Sequence, residues 1–104
     1  MRLNLYQEKV NEFLLETAKN REYLAVGLGA EVGEVQSLLA KAVRDSEGKV
    51  DKLKLMLELG DVLFFVATLA KHYDIELEQV ATNNIVKLSD RKERNVLSGS
   101  GDNR

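Results

Sequence analysis

Apolar residues recur at intervals of three and four along almost the whole chain and nowhere alternate, so the pattern predicts helices and no sheet. Leu3, Tyr6, Val10, Phe13 and Thr17 make a first stripe, on a helix expected over about Asn4–Lys19. A second helix is predicted from about Glu22 to Arg44 and a third from about Val50 to Tyr73, with Asp45-Ser46-Glu47-Gly48 as the loop between them. A fourth is expected over about Leu77–Arg94. Residues 98–104 are polar and glycine-rich and read as an irregular, frayed tail. Short loops between helices imply antiparallel neighbours. The expected fold is therefore all-α, a four-helix antiparallel bundle-like protomer, with one domain over residues 1–97 and a tail over 98–104.

Two stripes contain an acid where an apolar side chain is expected. The second helix reads Leu24, Leu28, Glu31, Val35, Leu38, Ala42, and the third reads Leu55, Glu58, Val62, Phe65, Leu69. Each acid has a companion three residues on, Glu34 and Asp61, and therefore on nearly the same face. The segments Glu31-Val32-Gly33-Glu34-Val35 and Glu58-Leu59-Gly60-Asp61-Val62 repeat one pattern of acid, apolar, Gly, acid, Val. With the turn centred near Glu47–Gly48, Glu34 and Asp61 each lie roughly 20 Å from it along their helices, so the hairpin is expected to set them level. A buried, unpaired carboxylate costs several kcal/mol. Four like charges at one depth call for a hard divalent cation, and Mg²⁺ suits carboxylates combined with phosphate oxygens. The alternative is a solvated acidic face, or acids paired with lysines.

Other residues bear on the same site. Glycine inside a helix costs about 1 kcal/mol relative to alanine, yet Gly27, Gly29 and Gly33 lie in the second helix and Gly60 in the third. Close helix packing explains such residues, and so does room for water or phosphate beside the acids at Gly33 and Gly60. Asn84, Lys87 and Arg91 share one side of the fourth helix. Lysine as a point charge and arginine as a fork suit phosphate, although cations near a helix C-terminus also complement its dipole. The single histidine, His72, ends the third helix and is assigned to that dipole rather than to metal. Tyr6, Phe13, Phe64 and Phe65 fall at helical spacing and are expected in the core.

Composition narrows the setting. The 104 residues carry 17 acidic and 15 basic side chains, a net charge of −2 that gives no footprint for duplex nucleic acid. There is no cysteine, hence neither a disulfide nor a thiolate metal site. No signal-peptide h-region is visible at Met1–Val10, and Val62–Ala70, the longest apolar-rich stretch, is too short to span a bilayer. The expectation is a cytoplasmic protein with no membrane or nucleic-acid partner. A chain of this size buries too little surface for a robust core alone, so oligomerisation is expected.

Glu31-x-x-Glu34, followed after residues 35–57 by Glu58-x-x-Asp61, resembles the signature of the all-α NTP pyrophosphatase superfamily. The run from Glu58 through His72 and the later Asn84-Ile-Val-Lys87-Leu-Ser-Asp-Arg91 look like MazG proteins in particular. The similarity extends from the first helix through Arg94. It implies hydrolysis of an NTP or dNTP between the α and β phosphates, giving a monophosphate and pyrophosphate. It also implies dependence on Mg²⁺, with Mn²⁺ as a substitute, and a homodimer or homotetramer with active sites near subunit contacts. By motif match, Glu31, Glu34, Glu58 and Asp61 would be the metal ligands. Glu34 is the preferred general base, and Asn84, Lys87 and Arg91 the substrate-binding residues. MazG proteins often carry two such domains and this chain has one. The glycine-serine tail is similar to a compact subgroup of phages and mobile elements, so substrate preference does not transfer from the larger proteins. Phosphoribosyl-ATP or dUTP pyrophosphohydrolase activity, or a non-catalytic helical dimerisation module, remain the alternatives. A di-iron carboxylate bundle is disfavoured, because Leu69 rather than Glu stands three residues before His72.

Overall fold

A computed structural model describes residues 1–104 as four α-helices and no strand. These are α1 (Leu3–Asn11), α2 (Arg21–Asp45), α3 (Lys52–His72) and α4 (Leu77–Glu93), with a single 3-10 turn at Glu16–Ala18. The long α2–α3 hairpin is the body of the molecule. Asn20 caps α2, its side chain accepting from the Tyr23 amide at 2.8 Å. Asp51 caps α3 in the same way, accepting from the amides of Leu53 and Lys54. Each cap satisfies helix-end donors that otherwise have no partner. Between the helices the amides of Ser46 and Gly48 both donate to the Ala42 carbonyl. The chain turns there through left-handed backbone at Glu47 (φ 55°) and Gly48 (φ 80°), and the glycine adopts it without side-chain strain.

The N-terminal helix is shorter than its stripe suggests. Helix α1 stops at Asn11, and the 3-10 turn follows before α2 begins. A continuous helix to Lys19 would have turned Phe13 inward. The break instead buries Leu14 and Ala18 and leaves Phe13 at 75% exposure. Apolar Phe13-Leu14-Leu15 offers three consecutive candidates for burial, and packing selects the middle one. Leu14, Ala18, Leu24 and Phe65 form the core cluster, with Leu28, Phe64 and Leu69 packed against it. Thr68, fully buried in α3, donates its hydroxyl to the Phe64 carbonyl at 2.9 Å, which resolves its polarity within the helix.

A polar clamp attaches α4. The buried Gln7 of α1 donates to the carbonyls of Ala67 (3.0 Å) and Ile75 (2.9 Å) and accepts from the Leu77 amide (3.0 Å). One turn earlier, Asn4 accepts from the Glu78 amide and donates to the Glu76 carboxylate. Helix α1 therefore binds the start of α4, whereas the rest of α4 touches α3 only thinly. The wedge left between them is a cleft of about 620 Å³ with apolar walls that include Leu63, Val66 and Val80.

Few residues are buried: 11 of 104. Large apolar side chains stand outside, among them Val26 and Val43 on α2, Met56 and Leu57 on α3, and Ile85 and Val86 on α4, each more than 60% exposed. No helix is long and apolar enough to cross a membrane.

Candidate active site

Helix packing sets which acids meet. Gly27 lies directly against the Phe65 ring, close enough that a Cβ on Gly27 would run into it. Counting along two antiparallel helices from that contact puts Glu31 level with Asp61 and Glu34 level with Glu58. The symmetric-turn expectation, Glu34 level with Asp61, is off by about one helical turn because the last residues of α2 extend past the start of α3. The carboxylates of Glu31, Glu58 and Asp61 accordingly converge, each offering an oxygen within 4.8 Å of the others. Glu31 and Glu58 are half-buried and Asp61 is exposed. Glu34 is exposed and stands outside this group.

None of the four carboxylates forms an ion pair or a hydrogen bond within the chain, although seven ion pairs form elsewhere. Withdrawal from water raises the Glu31 carboxyl above the usual range, and the negative charges of Asp61, Glu58 and Glu34 add to the rise in that order. The phenol of Tyr6 in α1 is raised as well, first by burial and then by the Asp61 carboxylate. Tyr6 therefore belongs beside the acids as much as in the core, a position its apolar stripe did not separate.

An all-oxygen, uncompensated set of this kind suits a hard divalent cation. The residues present therefore fit the group expected of them. The glycines divide into two kinds. Gly27 is a packing residue, while a Cβ on Gly29, Gly33 or Gly60 would meet nothing within 4 Å. Helix packing within the protomer thus explains Gly27 but gives no reason for glycine at Gly33 and Gly60, beside the acids.

The polar residues of α4 have separate environments. Asn84 and Lys87 line the cleft between α3 and α4. Arg91 is 4% exposed, its guanidinium donating to the backbone carbonyl (2.9 Å) and carboxylate (3.1 Å) of Asp102. Lys87 reaches the same Asp102 oxygen at 3.1 Å. Residues 98–104 are thus folded back over α4 rather than frayed. Arg104 secures the fold, donating to the carbonyls of Val96 (2.8 Å) and Leu97 (3.1 Å). Nothing in the local pattern around Asp102 marks it as a partner for Arg91; only the proximity of an acid to a basic helix end hints at it. His72 lies outside the acid cluster and stacks edge-on with Tyr73 at 5.2 Å.

Known proteins resemble this chain in sequence. The model of the MazG nucleotide pyrophosphohydrolase domain matches residues 19–96, a span that includes all four acids and Asn84, Lys87 and Arg91. The chain is similar to the Gene 37 protein of Mycobacterium phage L5, with 39% identity over 92 residues, covering 86% of this chain and 81% of that protein. No solved structure matches.

Proposed function

This chain belongs to the MazG nucleotide pyrophosphohydrolase family, and from that premise we propose that it hydrolyses (deoxy)nucleoside triphosphates to the monophosphate and pyrophosphate with Mg²⁺. The observation that carries the reading is the convergence of Glu31, Glu58 and Asp61 without a single internal cation to neutralise them. Glu31, Glu58 and Asp61 would hold the metal, with Glu34 joining from the same face of α2. Mg²⁺, or Mn²⁺ in its place, supplies neutralisation of the phosphate oxygens when bound.

The remaining chemistry belongs to side chains. A water attacks the α phosphorus, the bond from that phosphorus to the α–β bridging oxygen breaks, and pyrophosphate leaves. Glu34, exposed and unpaired, accepts the proton of the attacking water at its carboxylate. Lys87 and Arg91 bind the phosphates of the nucleotide, the first as a point charge and the second as a fork. Asn84 offers its amide from the cleft wall, and the apolar walls there are suited to the nucleoside.

The apolar side chains left outside on α2, α3 and α4 support a homodimer or homotetramer, since one protomer covers too little of its own apolar surface. Light scattering in solution checks this, a monomer at micromolar concentration being the contrary result.

A panel of NTPs and dNTPs incubated with Mg²⁺, with monophosphate and pyrophosphate both quantified, tests the activity. Stoichiometric release of the two products from several nucleotides is expected. Turnover confined to dUTP or to phosphoribosyl-ATP would move the chain to a sibling activity. No turnover of any nucleotide would leave it a helical dimerisation module.

A further inference from the structure

We propose that residues 99–104 form an autoinhibitory strap in which Asp102 occupies the phosphate-binding cations Lys87 and Arg91, and that a polyphosphate chain must displace it to bind. The inference rests on the assignment of those cations to substrate phosphate. A single carboxylate oxygen of Asp102 receives both Lys87 and Arg91 at 3.1 Å, and the Asp102 carbonyl takes a further bond from Arg91. An anionic side chain thus sits where two convergent cations would meet an anionic ligand.

Exposure makes the contact mutually exclusive with substrate. The Arg91 side chain is 5% exposed and its outward bonds go to Asp102, so a phosphate oxygen can take those bonds only when Asp102 gives them up. Arg104 anchors the end of the strap to the carbonyls of Val96 and Leu97, so displacement needs only the Asp102 contact to open. Asp102 itself is 80% exposed, so its charge is screened and its hold is weak. A triphosphate brings several charges against its one. The turn that returns the chain to α4 passes through Gly101 at φ 81°, backbone that a branched side chain resists, so the strap can be loosened without touching a charge.

The test uses the full chain and inorganic tripolyphosphate in EDTA, which reads the cations without the metal site. Asp102→Ala and, independently, Gly101→Val are expected to tighten tripolyphosphate binding about three- to tenfold. Asp102→Ala should also lower KM for the nucleotide with kcat unchanged, and adding Lys87→Ala should abolish the gain in binding. Equal or weaker binding by both variants would overturn the proposal, showing that Asp102 organises the cations rather than competes for them. Absence of tripolyphosphate binding in every form would overturn it too. A wild-type enzyme that cleaves nucleotides while Asp102→Ala changes nothing sinks the strap and leaves the activity standing. Tighter binding by the variants with no nucleotide cleaved by any form sinks the activity and leaves the strap.

Discussion

The acid face between α2 and α3 and the basic end of α4 carry opposite charges and handle them in opposite ways. Glu31, Glu58 and Asp61 converge with no internal partner, whereas Lys87 and Arg91 converge on Asp102, and Arg91 is itself buried. Folding alone does not require an uncompensated acid cluster, since lysines were available and pair elsewhere, as Lys71 does with Glu8. The proposed function accounts for the difference: the acid face takes a cation from outside the chain, while the basic end already holds an anion from within it.

The largest effect that would break this comparison lies at the acids. Asp61→Asn or Glu31→Gln should reduce Mg²⁺-dependent turnover to below about 1% of wild type with helical circular dichroism intact. Glu34→Gln should match that loss in kcat but weaken Mg²⁺ binding by calorimetry less than Asp61→Asn does, because Glu34 stands outside the convergent three. Full activity in any of these variants would remove the residue from the site. Next in size is a contrast between two glycines. Gly27→Val forces a side chain into the Phe65 ring and should cost about 2 kcal/mol in denaturant unfolding. Gly33→Ala meets nothing and should stabilise by up to about 1 kcal/mol. Loss of turnover in the stabilised Gly33→Ala protein would mark that glycine as clearance for substrate.

At the basic end, Lys87→Ala should raise KM about tenfold and leave kcat within a few-fold of wild type, the signature of a lost ground-state phosphate contact. The smallest expected effect concerns pH. The Asp102 carboxyl is held below its usual range, first by the hydrogen bond from Arg91 and then by Lys87. A carboxylate depressed in the docked state contributes docking stability that is fully present above its undocked value and is lost only as pH falls through the docked one. Strap docking, followed by the amide chemical shifts of Gly101 and Asp102, should therefore be flat between about pH 8 and pH 5, with any loss setting in below the usual aspartate range. A midpoint near neutrality would assign the contact to some other group.

Helix type, the α2–α3 hairpin and the approach of Glu31 to Glu58 and Asp61 were legible in the sequence because each follows from a period, whereas Glu34 falls outside that group. Acids at stripe positions stand out once the stripe is drawn, and Glu31 and Glu58 are indeed half-buried. Periodicity could not decide which of Phe13, Leu14 and Leu15 goes inward, because a run of apolar residues satisfies several registers. Nor could it fix the hairpin offset. That depends on where Gly27 admits the Phe65 ring, a contact between residues far apart in the chain. Gln7 was hidden for a different reason: a polar residue becomes a core residue only when three separate backbone groups, at Ala67, Ile75 and Leu77, arrive around it. Asp102 was hidden because a glycine-rich tail has no period at all.

Thermal unfolding of the wild type and of Asp61→Asn, each with and without Mg²⁺, tests the acid cluster most directly. Crowded carboxylates should make the metal-free wild type less stable than metal-free Asp61→Asn, and Mg²⁺ should raise the wild-type melting temperature by several degrees while moving the variant little. A wild type indifferent to Mg²⁺, and no less stable than the variant without it, would contradict the assignment of this face to a divalent cation.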